Sequence, residues 1–309
     1  MNALHHHDVI VATLGSGSRG NSTYIGTEKS GVLVDCGLST KQIFRRLGEI
    51  GLSDAQIVGV LVTHEHADHV GAARVLDRHL LKSTGKHVPF YMSRGTRNGL
   101  HANCIPTRVE QVRSGRTFQV GDFVVEPWTV PHDTIDPLAF AVGFGDVRAG
   151  VITDLGRPTR LVERQFGSLD IAVLEFNHDL QMLIEGDYPW RLKQRVRGAQ
   201  GHLSNEQAGD VIRRGSAGRL KHLVLAHLSE DNNHPDVALR SAESALCDAR
   251  AAGVTVHVAS QQLPLGPLRV RMPHNLRPAR VDPAGRASRA RATASPEAPR
   301  DERQLSLFA

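Results

Sequence analysis

Cysteine is nearly absent from this 309-residue chain: Cys36, Cys104 and Cys247 are scattered, odd in number and without Cys-x-x-Cys spacing. A disulfide framework and a cysteine-based zinc knuckle are therefore not expected, and a reducing cytoplasm is the expected compartment. Aromatic residues make up only 5% of the sequence, too few for a base-stacking sheet of the RNA-recognition type. No apolar run approaches the roughly 18 residues of a membrane span, so no membrane partner is expected. The start, MNALHHHDVI, lacks the basic stretch and long apolar core of a secretory signal. No internal repeat is visible. Histidine, by contrast, is plentiful, with 17 residues.

Net charge is also missing from most of the chain. Nine of the 37 basic residues and four of the 32 acidic ones fall after residue 266, so 28 of each remain before it and the whole excess of +5 sits in the tail. Residues 1–266 are read as one folded domain, 267–303 as an Arg/Pro/Ala-rich linker, and 304–309 as a terminal peptide. Within the linker, 274–303 has no helical or strand periodicity, and its apolar residues are mostly alanine, too small to offset the entropy of ordering a backbone. Such a tail either solubilises the protein or tethers it to nucleic acid.

The body is 40% hydrophobic residues over the whole chain, enough for a large core. Strand-like runs rich in Val and Ile occur at Val9–Leu14, Gly31–Asp35, Ile57–Thr63, Val88–Met92, Phe118–Val130, Ala139–Phe144, Ala149–Thr153, Asp170–Leu174, His222–Ala226 and Val254–Val258. Helical patterns cover Ser39–Ile50, Val70–Leu81, Thr159–Phe166, Ser204–Arg214 and Pro235–Ala252. Ser204 and Gln207 have capping-box spacing. The mixture predicts an α/β (α+β) protein with large sheets.

The strand ending at Val62 runs into Thr63-His64-Glu65-His66-Ala67-Asp68-His69. Three imidazoles and two carboxylates at this density suit a divalent metal. One ion cannot use all of them, because neighbouring side chains diverge along the chain, so the cluster reads as half of a two-metal site. Further donors follow other apolar strands: His132 in VPHD, Asp154 in ITD and His227 in LAHLSEDNN. Each alone could be a turn residue or cap; together they recur after the same kind of strand.

His64-x-His66-x-Asp68-His69 resembles the HxHxDH signature of the metallo-β-lactamase fold superfamily, with Asp35, His132, Asp154 and His227 in that superfamily's order. The likeness covers roughly residues 8–262. It implies a four-layer αβ/βα sandwich with two divalent ions, zinc or manganese, at its rim. His64, His66 and His132 would hold one ion, Asp68, His69 and His227 the other, and Asp154 would bridge them. Asp35 would orient the ligand loop by hydrogen bonds, and Asp68 would also position a metal-activated hydroxide and take its proton. The cysteine ligand of true β-lactamases is absent, which argues against antibiotic hydrolysis.

Further stretches, Leu14–Ser22, Leu174–Asp179, Gly186–Lys193, Gly201–Asn205 and His227–Asn233, resemble the YycJ/WalJ-type branch, whose attributed function is 5′→3′ DNA exonuclease activity. Candidate phosphate contacts are Ser16, Ser18, Asn21, His178, His202 and Ser204, and Arg191, Lys193, Arg195 and Arg197 form a basic run that is either a solvated helix face or a nucleic-acid contact. The last residues, Gln304-Leu305-Ser306-Leu307-Phe308, resemble the pentapeptide by which bacterial repair and replication enzymes dock to the DNA polymerase sliding clamp. The linker would then raise the enzyme's effective concentration near clamp-bound DNA. The resemblance thus implies a two-metal nuclease of DNA, with RNA as a further possible substrate. The same ligands would also suit a glyoxalase II-type or lactonase-type hydrolase, or a non-catalytic scaffold bridging DNA and clamp.

Overall fold

The computed structural model describes residues 8–215 and 218–271. The expected linker beyond 271 and the QLSLF segment lie outside the described residues. Two seven-stranded sheets carry the fold. The first contains β1 (Val9–Gly15), β2 (Ser22–Gly26), β3 (Ser30–Val34), β4 (Gln56–Leu61), β5 (Phe90–Met92), β6 (Val109–Gln111) and the late strand β14 (Leu265–Val270), in the order β14-β1-β2-β3-β4-β5-β6. The second contains β7 (Phe118–Val120), β8 (Phe123–Thr129), β9 (Leu138–Phe144), β10 (Val147–Ile152), β11 (Ile171–Glu175), β12 (His222–Ala226) and β13 (Thr255–Val258), in the order β13-β12-β11-β10-β9-β8-β7.

Both sheets are buried on two faces, which is why their strands read as continuous apolar runs. The period of two still sorts the side chains. In β1, Val9 and Val11 join an inner core with Phe140, Val142, Val173 and Val224 of the opposite sheet. Ile10, Ala12 and Leu14 join an outer core with Ile43 and Leu47 of α1 (Thr40–Glu49) and Leu76 and Leu80 of α3 (Ala73–Thr84). The other sheet sends Ala172, Leu174, Leu223 and Leu225 outward against α5 (Arg160–Phe166), α8 (Asn205–Gly215) and α9 (Pro235–Asp248). The four layers expected from the family resemblance are therefore present.

Local signals place the helices. Ser39 and Gln42 close a capping box at α1, and Ser204 and Gln207 do the same at α8. The differences from the sequence reading have local causes. The expected run Phe118–Val130 is a hairpin, because Gly121 takes φ 56° and turns β7 onto β8 with Val120 opposite Phe123. The expected helix Val70–Leu81 is two pieces, the single turn α2 (Ala67–Val70) and α3, and α9 stops at Asp248 rather than 252. β14 pairs with β1 as far as Val270, so the sheet continues past the boundary set at 266 by charge and composition.

The pairing also sets the site. β3 and β4 are parallel with Val34 opposite Leu61, and β10, β11 and β12 are parallel with Ile152, Leu174 and Leu225 in one row. β8 runs in the direction of β10, since both are antiparallel to β9. Asp35, Thr63, His132, Asp154, Glu175 and His227 thus sit at or just beyond the carboxyl ends of their strands, where open α/β sheets build sites.

Candidate metal centre and the groove beside it

Beyond β4, the chain passes through Thr63 to His64, and His66 is the N-cap of α2, whose single turn carries Asp68 and His69. That turn is held by the backbone of other segments: Cys36 N–H donates to the His69 carbonyl (2.8 Å) and Asn21 N–H to the Asp68 carbonyl (2.7 Å). His64, His66 and His132 bring one nitrogen each within 4.8 Å of one another, and Asp68, His69 and His227 offer a second such set. Asp154 lies between them. Its Oδ2 is 3.2 Å from His69 Nε2, and its Oδ1 is 3.6 Å from His227 Nε2 and 4.0 Å from His132 Nε2.

Asp35, Asp154 and His227 share an unusual backbone, with φ of 63°, 59° and 55° just after β3, β10 and β12. Non-glycine residues seldom adopt this left-handed conformation, and it costs of order 1 kcal/mol or more each. It turns each side chain sharply at the rim, and surrounding bonds hold it there. His227 N–H donates to Ser16 Oγ (2.7 Å), and Asp35 N–H to the Leu61 carbonyl (2.8 Å). Asp35 Oδ1 accepts from Thr63 N–H at 2.8 Å.

Three imidazoles each have Nδ1 tied outside the cluster. His69 Nδ1 is 2.7 Å from Asp35 Oδ2, His132 Nδ1 is 3.0 Å from the Gly201 carbonyl, and His227 Nδ1 is 3.3 Å from Glu175 Oε1. Fixing one nitrogen in this way sets the tautomer and leaves Nε2 for the centre, the usual support of a metal-ligating histidine. The remaining atoms fit a cation. His132 Nε2 and His227 Nε2 are buried without a hydrogen-bond partner, and His64 Nε2 and His66 Nδ1 face each other at 3.1 Å. Nitrogen lone pairs and carboxylates gathered this closely suit a divalent metal ion.

The charges agree with the geometry. Burial pushes His64 well below the usual imidazole range, reinforced by the neighbouring His69. Burial opposes ionisation of Asp154, but His227 and His69 outweigh it and hold the carboxyl well below its ordinary value. Burial likewise disfavours the charged forms of His69 and His227, yet the carboxylates around them win: His69 is raised well above its ordinary value and His227 to about 10, with Asp154 the largest of the raising neighbours in both.

Glu175 is the functional residue that the sequence reading missed. It ends β11, is fully buried, and its Oε2 accepts from Leu155 N–H (3.1 Å) and Leu203 N–H (3.0 Å). Oε1 is 2.8 Å from His202 Nδ1. Burial raises the carboxyl, but His202 and His227 bring it down to about 2. The signal was an acid closing an otherwise apolar strand, IAVLE. Replacing Glu175 with Gln sets an amide against four donors at once, so the variant should lose about 1–3 kcal/mol of stability. His202, which burial lowers but Glu175 raises on balance, should titrate at lower pH in that variant. Chemical denaturation and histidine NMR titration check both effects, and an unshifted His202 would contradict this account.

The six candidate phosphate contacts are not equivalent. Ser18 and His202 line a groove of about 200 Å³ beside the centre, together with Asp133, Tyr188, Arg195 and His227. Ser16 is occupied by the His227 backbone. Asn21 Nδ2 sits within the cluster itself, 3.1 Å from both Asp68 Oδ2 and His69 Nε2. Ser204 caps α8 and pairs with His178 in an isolated bridge. Burial drives His178 down to about 4, leaving it uncharged at neutral pH. The basic run also divides. Lys193 Nζ donates to the Ile184 carbonyl (2.7 Å), Arg195 Nε to Asp133 Oδ2 (2.6 Å), and the Arg197 guanidinium lies 5.3 Å over the Trp190 ring. A wider neighbouring groove, about 520 Å³, is walled by Arg157, Gln194 and Arg195.

A sandwich of this topology with imidazoles and carboxylates converging at its rim defines a metal-dependent hydrolase fold. Residues 31–227 match the beta-lactamase superfamily domain. The chain is 35% identical over 241 residues to the exodeoxyribonuclease YycJ of Bacillus anthracis, covering 76% of this chain and 88% of that protein. It is 34% identical over 230 residues to the exodeoxyribonuclease WalJ of Streptococcus pneumoniae, covering 73% and 83%. Among solved structures, the metallo-β-lactamase fold protein YhfI of Bacillus subtilis superposes with a TM-score of 0.62 at 15% identity, covering 84% of this chain and 99% of that one. The chain belongs to the YycJ/WalJ-type branch of the metallo-β-lactamase fold superfamily. Its His/Asp clusters are a site for divalent metal. Among the described residues, no helix is long and apolar enough to cross a membrane.

Proposed function

We propose that this chain is a metal-dependent phosphodiesterase that degrades DNA from the 5′ end. The observation that carries the reading is the pair of donor sets meeting at Asp154, beside a groove lined by Arg195 and His202. The names of the YycJ and WalJ relatives support DNA as the polymer. His64, His66 and His132 would hold one divalent ion, zinc or manganese, and Asp68, His69 and His227 would hold a second, with Asp154 beside both sets. When bound, the ions supply a Lewis acid for the phosphoryl oxygen and bring a water towards a neutral pKa.

The chain's own groups do the rest. Asp68, kept ionised by His69 and His227 against the opposing effect of burial and steadied by Asn21 Nδ2, accepts the proton of the attacking water. Asp35 does not touch substrate: it fixes His69 and the Thr63 turn. His202, held at Nδ1 by Glu175, supplies a proton to the leaving oxygen. Digestion of 5′-phosphorylated, 5′-hydroxyl and circular DNA, alongside thioester and lactone panels, tests the reading. Loss of 5′ nucleotides from linear DNA is expected; intact DNA with rapid thioester or lactone cleavage overturns it.

Metal uptake should be proton-linked. In the metal-free protein, His69 and His227 are raised and therefore carry protons at pH 7. Their pairing with carboxylates stabilises that form fully below the unfolded imidazole value of about 6.5, and the contribution fades as pH rises through about 10 for His227. Ligation must displace these protons, so affinity should rise about tenfold per pH unit for each imidazolium lost. Calorimetry in buffers of different ionisation enthalpy measures the release; a pH-independent affinity contradicts it.

The terminal QLSLF segment completes the proposal as a sliding-clamp docking peptide, with Leu305, Leu307 and Phe308 filling apolar pockets and Gln304 giving a directional hydrogen bond. Deleting residues 303–309 should abolish clamp binding in a pull-down and leave turnover of free oligonucleotides unchanged. Retained clamp binding overturns the docking role.

A further inference from the structure

Trp190 opens α7 (Trp190–Val196) and is 56% exposed, while every other described tryptophan, tyrosine and phenylalanine is buried or half-buried. The chain holds only two tryptophans, and the other, Trp128, is 1% exposed in the core. More than half of this large apolar residue is left in water.

Its surroundings are those of a polyanion path. Trp190, Gln194 and Arg197 recur at i, i+4 and i+7 and so share one stripe of the helix. Gln194 and Arg195 wall the wider groove with Arg157. Arg195 is pinned to Asp133, and Asp133 Oδ1 is 3.5 Å from His132 Nε2, which fixes this part of α7 against the metal centre. The Arg197 guanidinium lies over the ring, yet more than half the residue still meets solvent.

We propose that Trp190, which shares one stripe of α7 with the groove-lining Gln194 and has Arg197 over its ring, is a base-stacking step for single-stranded DNA lying along the groove beside the metal centre. Every base has a π-face, so an indole holds a strand without reading its sequence, while the arginines attract the phosphates. The step determines how the substrate is gripped and takes no part in bond cleavage. It rests on the nuclease reading above.

The two tryptophans make the test direct. The full-length protein is titrated with a phosphorothioate-linked single-stranded oligonucleotide, which resists cleavage, while indole emission is followed. Saturable quenching is expected, because only Trp190 is accessible. Trp190→Ala should remove the quenching and weaken binding about 5- to 150-fold, from roughly 1–3 kcal/mol per stacked base. Trp190→Phe should restore most of the affinity, and an oligonucleotide abasic along its length should bind the wild type only as weakly as it binds Trp190→Ala. On cleavable DNA, KM should rise in Trp190→Ala with kcat little changed. Wild-type affinity and KM in Trp190→Ala, or binding without quenching, overturns this proposal alone and leaves the exposed face to a protein partner. Failure of any oligonucleotide to bind overturns the nuclease reading and the stacking step together.

Discussion

Asp154→Asn should leave the protein folded, without its full complement of metal, and slower on DNA by at least about 10³-fold. Asparagine suits the test because it tolerates the left-handed φ of 59° at this position, so the backbone turn survives and only the charge is removed. That charge faces His69 at 3.2 Å, His227 at 3.6 Å and His132 at 4.0 Å. It is a carboxylate near both donor sets. Without it, two dications would face each other across a neutral amide. Metal analysis should therefore find one ion or fewer per chain in the variant and two in the wild type. In the metal-free variant, His69 and His227 should titrate at lower pH, since Asp154 is the largest influence raising each of them. A variant with full metal and wild-type turnover would remove Asp154 from the centre.

Gly37→Ala should be nearly as damaging, although residue 37 carries no donor. A Cβ placed there lies 1.6 Å from the Asp68 carbonyl oxygen and 2.2 Å from its carbon. Neither atom can swing aside, because both belong to the backbone of α2. That turn is already fastened at Asp68 by Asn21 N–H and at His69 by Cys36 N–H, and Gly37 N–H itself donates to the Asn21 carbonyl. The methyl group therefore pushes the segment bearing Asp68 and His69 away from Asp154. We expect a stability loss of about 3 kcal/mol, the upper end for overpacking, and a fall in turnover of about 100-fold or more from a displacement of an ångström. Gly48→Ala in α1 is the matched control, because its added Cβ meets nothing within 4 Å; it should be neutral or stabilising by about 0.5–1 kcal/mol. Denaturation curves and steady-state rates for the two variants decide the matter, and equal behaviour would contradict the packing argument.

How far the sequence discloses this arrangement depends on the kind of information each residue carries. His64, His66, Asp68 and His69 are legible because a run of donors after an apolar strand has no cheaper explanation. His132, Asp154 and His227 become legible only together, as the same residue types recurring after the same kind of strand. The layered fold is legible from the alternation of apolar runs and amphipathic stretches, joined to the family resemblance. Three features were hidden for physical reasons. β6 has only three residues, Val109–Gln111, two of them polar, so it does not announce itself without its neighbours. The hairpin within Phe118–Val130 hinges on one glycine φ. Glu175 looks like the polar end of a strand until the fold brings Leu155, His202, Leu203 and His227 around it. The phosphate candidates show the converse. Asn21 has the chemistry of a phosphate contact, but the metal cluster already engages its amide, and the cap legible at Ser204 engages that hydroxyl.

The central claim is tested most directly by diffraction from crystals grown with manganese or zinc, with anomalous data collected at the metal's absorption edge. The account predicts two peaks at the sheet rim, one among His64, His66 and His132 and one among Asp68, His69 and His227, with Asp154 reaching both. Metal-soaked crystals showing no peak there, with His132 Nε2 and His227 Nε2 turned away from Asp154, would contradict it.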